Sequence, residues 1–194
     1  MAKKTPLYDR HIELGGHVVD FGGYLLPTQY SGINNEHNSV RTKAGLFDVS
    51  HMGEFIVSGP DGESFLQKMT VNDVASLSVG QAQYSAMCTK NGNIVDDLLV
   101  YKKENDFMVV VNASNLEKDL DWLNSHKVGQ VSIEDVSDQT GLIAIQGPRS
   151  RNILQTLTDT NLSNIQFYHF KDGKVSGKDA IIARTGYTGE LGFE

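Results

Sequence analysis

The sequence has 194 residues, of which 39% are hydrophobic, a composition typical of a soluble globular protein with one large core or two small ones. No stretch has the apolar length of a membrane-spanning helix, and the first residues lack signal-peptide or transit-peptide features, so the cytoplasm is the simplest expected location. The net charge of -7 argues against a nucleic-acid surface. The single cysteine, Cys88, excludes an internal disulfide framework, and no CxxC or HExxH spacing predicts a metal site.

The N-terminal quarter is predicted to contain strands and turns followed by one short helix. Paired glycines separate short apolar runs in HIELGGHVVDFGGYLLPTQY, a pattern typical of strand and turn and not of a long helix. Asn34 or Asn35 is placed to cap a helix over about residues 37–43, with Gly45 as its left-handed stop.

Residues 53–125 show a regular succession of strand and helix patterns. EFIVSG has strand periodicity, DGESFLQKMT has helical periodicity, and QYSAMCTKNGNIVDDLLVYKKENDFMVVVNAS contains three strand-like runs. Helical spacing returns over residues 115–124, with Leu116, Leu120 and Leu123 predicted to face inward. The order strand, helix, three strands, helix indicates an antiparallel α+β sandwich with its helices on one face.

The C-terminal third is predicted to contain a strand in GLIAIQG, a helix opened by Pro148, and a last hairpin in KDAIIARTGYTGELGFE. The chain stops at Glu194 while apolar and polar residues still alternate. We therefore expect it to be part of a longer protein.

Two adjacent aspartates, Asp96 and Asp97, interrupt the apolar strand that follows Asn91-Gly92, a strong hairpin signal. A two-residue turn there places Ala86 opposite Asp97, and alternation then puts Tyr84 on the same face as Asp97. Asp96 falls on the reverse face. A three-residue loop would exchange the two faces.

The same count pairs Cys88 with Val95 and Tyr84 with Leu99, and it adds Tyr101 to the face of the second aspartate. Two tyrosines around a carboxylate form a niche suited to a flat aromatic ligand. One aspartate of the pair can simply face solvent. In a sheet covered on one side by helices, however, the other must meet the covering layer and needs a compensating donor.

Asp48, Ser50 and His51 lie close together in FDVSHMGE, which suggests a catalytic triad. Ser50 and His51 would point to opposite faces of a strand, however, and triads are assembled from separate elements. A surface or turn-stabilising role is therefore the better interpretation.

The glycines of RTGYTGELGF match neither a phosphate loop nor a dinucleotide motif, and positive φ angles alone can explain them. Tyr187 and Glu194 give the segment a second interpretation. A carboxylate offers two acceptors to a ligand with adjacent N–H donors, such as an aminopyrimidine ring.

Several segments together resemble one family: KTPLYDRHIELGG, GLFDVSHMGEF, YSAMCTKNGNIVDDLLVYK, VVNASNLEKD, IQGP and RTGYTGELGFE. The family is the aminomethyltransferase of the glycine cleavage system, the T-protein, and the resemblance runs from residue 5 to the end. It implies that the methylene of an aminomethyl group on the lipoyl arm of H-protein passes to tetrahydrofolate while its amino group is released as ammonia. The implied co-substrate is tetrahydrofolate, the implied partner is lipoylated H-protein, and no metal, flavin or pyridoxal phosphate is implied.

The resemblance also implies roles for particular residues. The second aspartate of the DDL motif is the catalytic carboxylate of the family, which assigns Asp97 to positioning and activating a folate amine. The pterin-recognising glutamate of the GFE segment corresponds to Glu194. The other implied folate-binding residues are Met52, Tyr84, Leu99, Tyr101, Val110, Asn112, Tyr168 and Tyr187.

The fold that the resemblance implies is α+β, with antiparallel sheets, packed helices and three domains. We predict a discontinuous first domain, residues 1–52 plus 137–194, that encloses a meander domain over residues 53–136 carrying the catalytic aspartate. The C-terminal barrel domain of the family is expected to be missing, and we expect this chain alone to be inactive.

Two related proteins remain as alternatives. A non-catalytic folate-binding relative associated with iron-sulfur protein maturation would bear a cysteine-containing motif in place of RTGYTGE, which this sequence does not have. The folate domain of a dimethylglycine or sarcosine oxidising enzyme would require a flavin-binding domain encoded upstream, and the start at Met1 argues against it.

Overall fold

The computed structural model describes residues 2–194 and divides the chain into two compact units. The first unit is discontinuous and consists of Met1–His51 and Gly141–Glu194, and the second is Met52–Thr140. The predicted domains, with bounds at 52 and 137, are meant as parts that fold independently, and this division remains a prediction.

The helices of residues 2–194 are α1 (Tyr8–Glu13), α2 (Ile33–Thr42), α3 (Gly62–Met69), α4 (Leu116–Ser125) and α5 (Ser150–Gln155). The strands are β1 (Lys3–Lys4), β2 (Val18–Phe21), β3 (Tyr24–Pro27), β4 (Gly45–Asp48), β5 (Gly53–Ser58), β6 (Gln81–Cys88), β7 (Ile94–Lys102), β8 (Asp106–Val111), β9 (Ser132–Asp135), β10 (Ile143–Gln146), β11 (Phe170–Val175), β12 (Lys178–Ala183) and β13 (Gly192–Phe193). Short 3-10 turns lie at Val74–Ser76, Ala113–Asn115, Ser137–Gln139 and Leu162–Asn164.

The second unit is built on a five-stranded antiparallel sheet in the order β6-β7-β8-β5-β9. Phe65 and Leu66 of α3 and Leu123 of α4 pack in one cluster with the inward residues of the strands. Both helices therefore cover the same face of the sheet, because alternate strand residues such as Phe55 and Val57 all point toward them. The predicted order of elements and the predicted helix-covered α+β sheet are confirmed.

The loop between β6 and β7 differs from the predicted two-residue turn. The amide of Thr89 donates to Asn93, and Gly92 has a φ of 82°, so the loop contains three residues with glycine in the left-handed position. Cys88 consequently pairs with Ile94 and not with Val95, which contradicts the predicted pair.

A β-bulge then restores the predicted register. Val95 is an extra residue on β7 between the pairs Cys88–Ile94 and Met87–Asp96, so the longer loop and the bulge cancel each other. Ala86 lies opposite Asp97, as predicted, and Tyr84 lies opposite Leu99. The faces assigned to the two aspartates are therefore correct, although the turn was wrong.

The first unit contains three small sheets. They are ordered β1-β3-β2, β13-β10-β4 and β11-β12, and all their pairs are antiparallel except β1 with β3. A cluster of buried residues that includes Leu154 of α5, Ile182 of β12 and Phe193 of β13 forms one core of this unit.

The predicted elements of the N-terminal quarter need three corrections. Helix α1 occupies the start of the segment predicted as strand and turn, because the turn between the helix and β2 begins only at the first glycine pair. Helix α2 begins at Ile33 with Gly32 before it, so neither Asn34 nor Asn35 is the cap. Glu36 instead accepts hydrogen bonds from the amides of Tyr30, Ser31 and Gly32, and the left-handed stop predicted at Gly45 is a strand residue of β4.

The predicted hairpin at the C-terminal end forms only at its base. β12 pairs with β11, whereas β13 pairs with β10. Ala183 and Glu194 exchange two backbone hydrogen bonds of 2.8 and 2.9 Å, and the segment between them is a loop. The glycine-rich stretch therefore lies in this loop and not in a regular hairpin.

Candidate functional site

Asp97 lies on the sheet face opposite the helices and is fixed there by Tyr84. The Tyr84 hydroxyl donates to Asp97 Oδ2 over 2.7 Å, and the Tyr84 side chain is 50% exposed. The residue opposite Asp97 is Ala86, which has the smallest side chain after glycine. The carboxylate is thus held by a phenol from the neighbouring strand while the position facing it stays open.

Asn112 contacts both aspartates from the end of β8. Its Nδ2 lies 2.9 Å from Asp97 Oδ1, 3.3 Å from the Asp97 carbonyl and 3.2 Å from Asp96 Oδ1. The amide nitrogen has two protons to share among these three acceptors. Asn112 therefore acts as a clamp on the aspartate pair, and its predicted contact with folate remains a prediction.

The face around Asp97 is apolar and aromatic. Leu99 pairs with Tyr84 on one side and with Val110 on the other, so the three share this face. Tyr101, two residues beyond Leu99, is buried on the same side. Of the residues of this unit predicted to bind folate, Met52 and Asn112 lie outside these strands, Met52 directly before β5 and Asn112 directly after β8.

Asp96 points into the helix-covered side, where it is 7% exposed. Its Oδ2 has no hydrogen-bond donor among the described residues, and neither oxygen of the fully buried Asp119 of α4 has one. Burial, followed by the hydrogen bond with Asp96 and its charge, raises the pKa of Asp119 to about 8. The neutral form of Asp119 is therefore favoured over the ionised form, and a proton on Asp119 would supply a donor for Asp96.

Asp119 was missed by the sequence analysis, although the helical pattern contained a signal for it. Leu116, Leu120 and Leu123 were predicted to face inward, and position 119 lies on the same stripe of the helix. A carboxyl group at an inward position is unusual and calls for a partner.

Glu54 is a second residue that the sequence analysis missed. It lies opposite Val110, hence on the same sheet face as Asp97, and it is 2% exposed. Neither carboxyl oxygen has a partner among residues 2–194. Burial and, to a smaller extent, the charge of Asp135 raise the pKa of Glu54 to about 8.

Glu194, in the first unit, is part of a separate cluster. Thr185 donates its hydroxyl proton to Glu194 Oε2 over 2.5 Å, and burial raises the pKa of Glu194 while this hydrogen bond lowers it. Burial and the charge of Glu194 raise the pKa of Tyr168, which also has a left-handed φ of 57°. The structure thus brings Glu194 and Tyr168 together in a locally strained backbone, whereas Tyr187 is 95% exposed.

The glycines beside this cluster have two different functions. Gly186 and Gly189 have positive φ angles of 143° and 78°. Side chains at Gly186 and Gly192 would collide with the amide of Gln146, which is buried against them. Positive φ angles therefore explain Gly186 and Gly189 but not Gly192. At Gly192 the absence of a side chain allows the Gln146 amide to approach closely.

Asp48 is not paired with Ser50 and His51 as a triad would require. His11 Nε2 lies 2.8 Å from Asp48 Oδ2, and Thr5 donates to the same oxygen over 2.6 Å. Ser50 Oγ donates to the carbonyl of residue 142, and its amide donates to Asp48 Oδ1. These contacts tie segments of the first unit together, which supports a structural role.

Within residues 2–194, no group of three or more histidine, cysteine, aspartate or glutamate side chains is arranged to hold a metal ion. No helix in this described part of the chain has the length and apolar character needed to cross a membrane.

Sequence comparisons identify relatives over the whole chain. The model of the GCVT N-terminal domain matches residues 7–194. The aminomethyltransferase of Halalkalibacterium halodurans is 52% identical over 194 residues, covering 99% of this chain and 53% of that protein. The aminomethyltransferase of Bacillus subtilis is 54% identical over 196 residues, covering 100% of this chain and 54% of that protein. The chain thus spans about half the length of these relatives.

Structural comparisons agree on the fold. The crystal structure of glycine cleavage system aminomethyltransferase T from Bartonella henselae matches with a TM-score of 0.91 and 33% identity, covering 100% of this chain and 53% of that one. This match confirms the predicted fold. The heterotetrameric sarcosine oxidase from Corynebacterium sp. U-96 matches with a TM-score of 0.58 and 13% identity over 80% of this chain and 77% of that one, a likeness of fold alone.

Proposed function

The chain belongs to the family of the GCVT N-terminal domain, and from this premise we propose that it is part of an aminomethyltransferase of the glycine cleavage system. The proposed reaction transfers the methylene of an aminomethyl group from lipoylated H-protein to tetrahydrofolate and releases ammonia. Tetrahydrofolate is the co-substrate, the H-protein is the partner, and the cytoplasm is the proposed location. The names of the relatives support the transferase class.

The observation that carries the proposal is the carboxylate of Asp97, held between two donors on an apolar sheet face. Its Oδ2 accepts from Tyr84 and its Oδ1 accepts from Asn112. Each carboxylate oxygen has a further lone pair, so the group can accept another hydrogen bond without moving. A fixed carboxylate with free acceptor sites is suited to hold the N–H of a ligand amine.

Asp97 then acts on the folate amine as an acceptor. A hydrogen bond from the amine to the carboxylate raises the electron density on nitrogen as it attacks the methylene carbon. The methylene carbon gives up its bonds to the lipoyl sulfur and to the original amino group and forms bonds to two folate nitrogens. The protons that these two nitrogens lose leave with the lipoyl thiol and with ammonia. Leu99, Tyr101 and Val110 provide apolar surface for the folate ring beside the carboxylate.

We assign Glu194 to recognition of the pterin ring. Its carboxylate offers two acceptors for adjacent N–H donors, and Thr185 holds the side chain in place. Tyr168 and Tyr187 are proposed as further folate contacts in this unit, as Met52 is in the other.

The test is turnover by the full-length protein with aminomethyl-loaded H-protein and tetrahydrofolate. Asp97→Asn is expected to abolish ammonia release while changing the folate dissociation constant far less, because the amide keeps the shape but loses the charge. Asp9→Asn, at an exposed position of α1, is the matched control. Near-normal turnover of Asp97→Asn would contradict the assignment.

The same assay separates this function from the iron-sulfur maturation alternative. A non-catalytic folate-binding relative would bind tetrahydrofolate without releasing ammonia. Residues 1–194 assayed alone would test the prediction that this part of the chain is inactive by itself.

A further inference from the structure

Asp119 occupies a position in the core where burial of a charged group would be strongly unfavourable in free energy. It lies on the inward stripe of α4 between Leu116 and Leu123, and its side chain is 0% exposed. An ionised carboxylate in such a place must be paired with a cation or surrounded by donors. Among the described residues Asp119 has no hydrogen-bond donor, and its ion pair with Lys118 is long.

Lys118 lies within ion-pair distance of Asp119 but does not form a hydrogen bond with it. Lys118 Nζ is 3.8 Å from Asp119 Oδ1, too far for a hydrogen bond, and it donates instead to the Val95 carbonyl over 2.6 Å. Both Asp119 oxygens and Asp96 Oδ2 lack donors among the described residues. Two buried carboxyl groups that face each other can satisfy one another only if one carries a proton.

We propose that Asp119 is a positioning residue for Asp97. Asp119 is a neutral carboxyl group that donates its proton to Asp96 and thereby fixes the aspartate pair from the helix-covered side of the sheet. The connection to Asp97 runs through Asn112, whose amide contacts Asp96 Oδ1 and Asp97 Oδ1 at 3.2 and 2.9 Å. Asp96 held by Asp119 is a fixed acceptor for Asn112, and Asn112 so anchored presents its remaining proton to Asp97.

The charges around Asp119 agree with this arrangement. The groups that act on it are Asp96 and Asp97 from β7, which favour its neutral form, and Lys118 from α4, which opposes them. Burial is the largest cause, and the pKa of Asp119 is raised to about 8. Ionisation of Asp119 at higher pH therefore adds a negative charge on the helix-covered side of the sheet, next to the aspartate pair.

The proton can be detected without any activity measurement. Infrared spectra of the full-length protein labelled with ¹³C in the aspartate side chains are expected to show a protonated carboxyl band at neutral pH. The band should disappear in Asp119→Asn and persist in Asp97→Asn. Absence of the band from the wild-type protein, or its persistence in Asp119→Asn, would overturn the proposal.

The positioning role is tested by turnover and rests on the proposed function. Asp119→Asn keeps a neutral donor and is expected to retain kcat within about threefold. Asp119→Leu removes the donor and is expected to lower kcat by about 10- to 100-fold with a smaller change in KM for tetrahydrofolate, since misplacement by about 1 Å has effects of this size. Asp121→Asn, exposed on the same helix, is the matched control. Equal losses in both Asp119 variants, or no loss in Asp119→Leu, would contradict the role.

The pH profile gives a readout that a merely structural role would not change. In the wild-type protein kcat should fall as Asp119 ionises, whereas Asp119→Asn should lack this alkaline decline. The same decline in both proteins would refute the proposal. If Asp119→Leu does not fold, the infrared spectra and the pH profile of Asp119→Asn still decide the question. An inactive wild-type protein that shows the carboxyl band would instead refute the proposed function and leave the buried pair intact.

Discussion

The hydroxyl of Tyr84 and the carboxylate of Asp97 are joined over 2.7 Å across two neighbouring strands. The contact exists because the β6–β7 register places both residues on the open face, while Asp96 next in the chain points to the helices. Adjacent aspartates thus serve different purposes: one faces outward between two donors, and the other is buried against Asp119.

Removal of the Tyr84 hydroxyl should weaken the hold on Asp97. Tyr84→Phe is expected to lower kcat by about 5- to 10-fold, because the net contribution of a typical hydrogen bond is on the order of 1 kcal/mol and this one is exposed. The folate dissociation constant should change less, since the ring remains. Tyr8→Phe, which keeps the ring that Lys4 packs over, is the control. An unchanged kcat in Tyr84→Phe would show that the Tyr84–Asp97 hydrogen bond does not contribute to turnover.

Removal of the Glu194 carboxylate should weaken folate binding. Glu194→Ala is expected to raise the dissociation constant by the equivalent of about 1 to 3 kcal/mol, because a charge-assisted pair is lost. Titration calorimetry with tetrahydrofolate measures the change. Glu104→Ala, at an exposed position after β7, is the control, and equal constants in the two variants would refute the role of Glu194.

Glu54 should make stability depend on pH. Its pKa is about 8 in the folded state against 4.5 for the unperturbed group, so the folded protein holds a proton over this range that the unfolded chain releases. The contribution of Glu54 to the free energy of unfolding should therefore be greatest below about pH 4.5. This contribution should decrease as the pH rises from about 4.5 to 8.

Urea unfolding between pH 5 and 9 checks this dependence. Glu54→Gln should show a shallower decrease than the wild-type protein, with the remaining slope in the same direction coming from Asp119. Glu134→Gln, exposed on β9, is expected to keep the full slope. Identical slopes in Glu54→Gln and the wild-type protein would show that Glu54 is ionised in the folded state.

Close packing against Gln146 should make Gly186 harder to replace than a glycine in open space. Gly186→Ala adds a Cβ that collides with the Gln146 amide, whereas Gly177→Ala adds one with no neighbour within 4 Å. Both positions have positive φ, so both variants carry backbone strain. The difference in the free energy of unfolding should be about 1 to 3 kcal/mol, the usual cost of overpacking, and equal losses would contradict it.

Much of the second unit could be predicted because its signals are local. The spacing of Leu116, Leu120 and Leu123 defines the face of α4, and the alternation around Asp96 and Asp97 defines the two faces of β7. The predicted register of β6 with β7 is correct, but the sequence does not show the reason. The bulge at Val95 compensates for a loop that is one residue longer than predicted. Loop length and bulge position depend on packing across the whole sheet.

The pairing of β12 with β11 and the helix at α1 could not be predicted in the same way. The sequence near Glu194 has the alternation of a hairpin, but strand β12 finds its partner earlier in the chain and β13 joins β10. Alternation identifies a strand and not its neighbour. The short helix α1 lies where its buried His11 reaches Asp48, a contact across 37 residues of sequence.

The order of elements, the α+β class and the face on which Asp97 lies follow from the residue pattern alone, because the periods of helices and strands act between residues close in the chain. The contacts of Asn112 with both aspartates, and the position of Asp119 next to Asp96, depend on how segments distant in the chain pack together. These contacts bring a strand, a strand end and a helix to one buried point. Carboxyl groups share a proton there because water is excluded, and exclusion of water is a property of the packed chain.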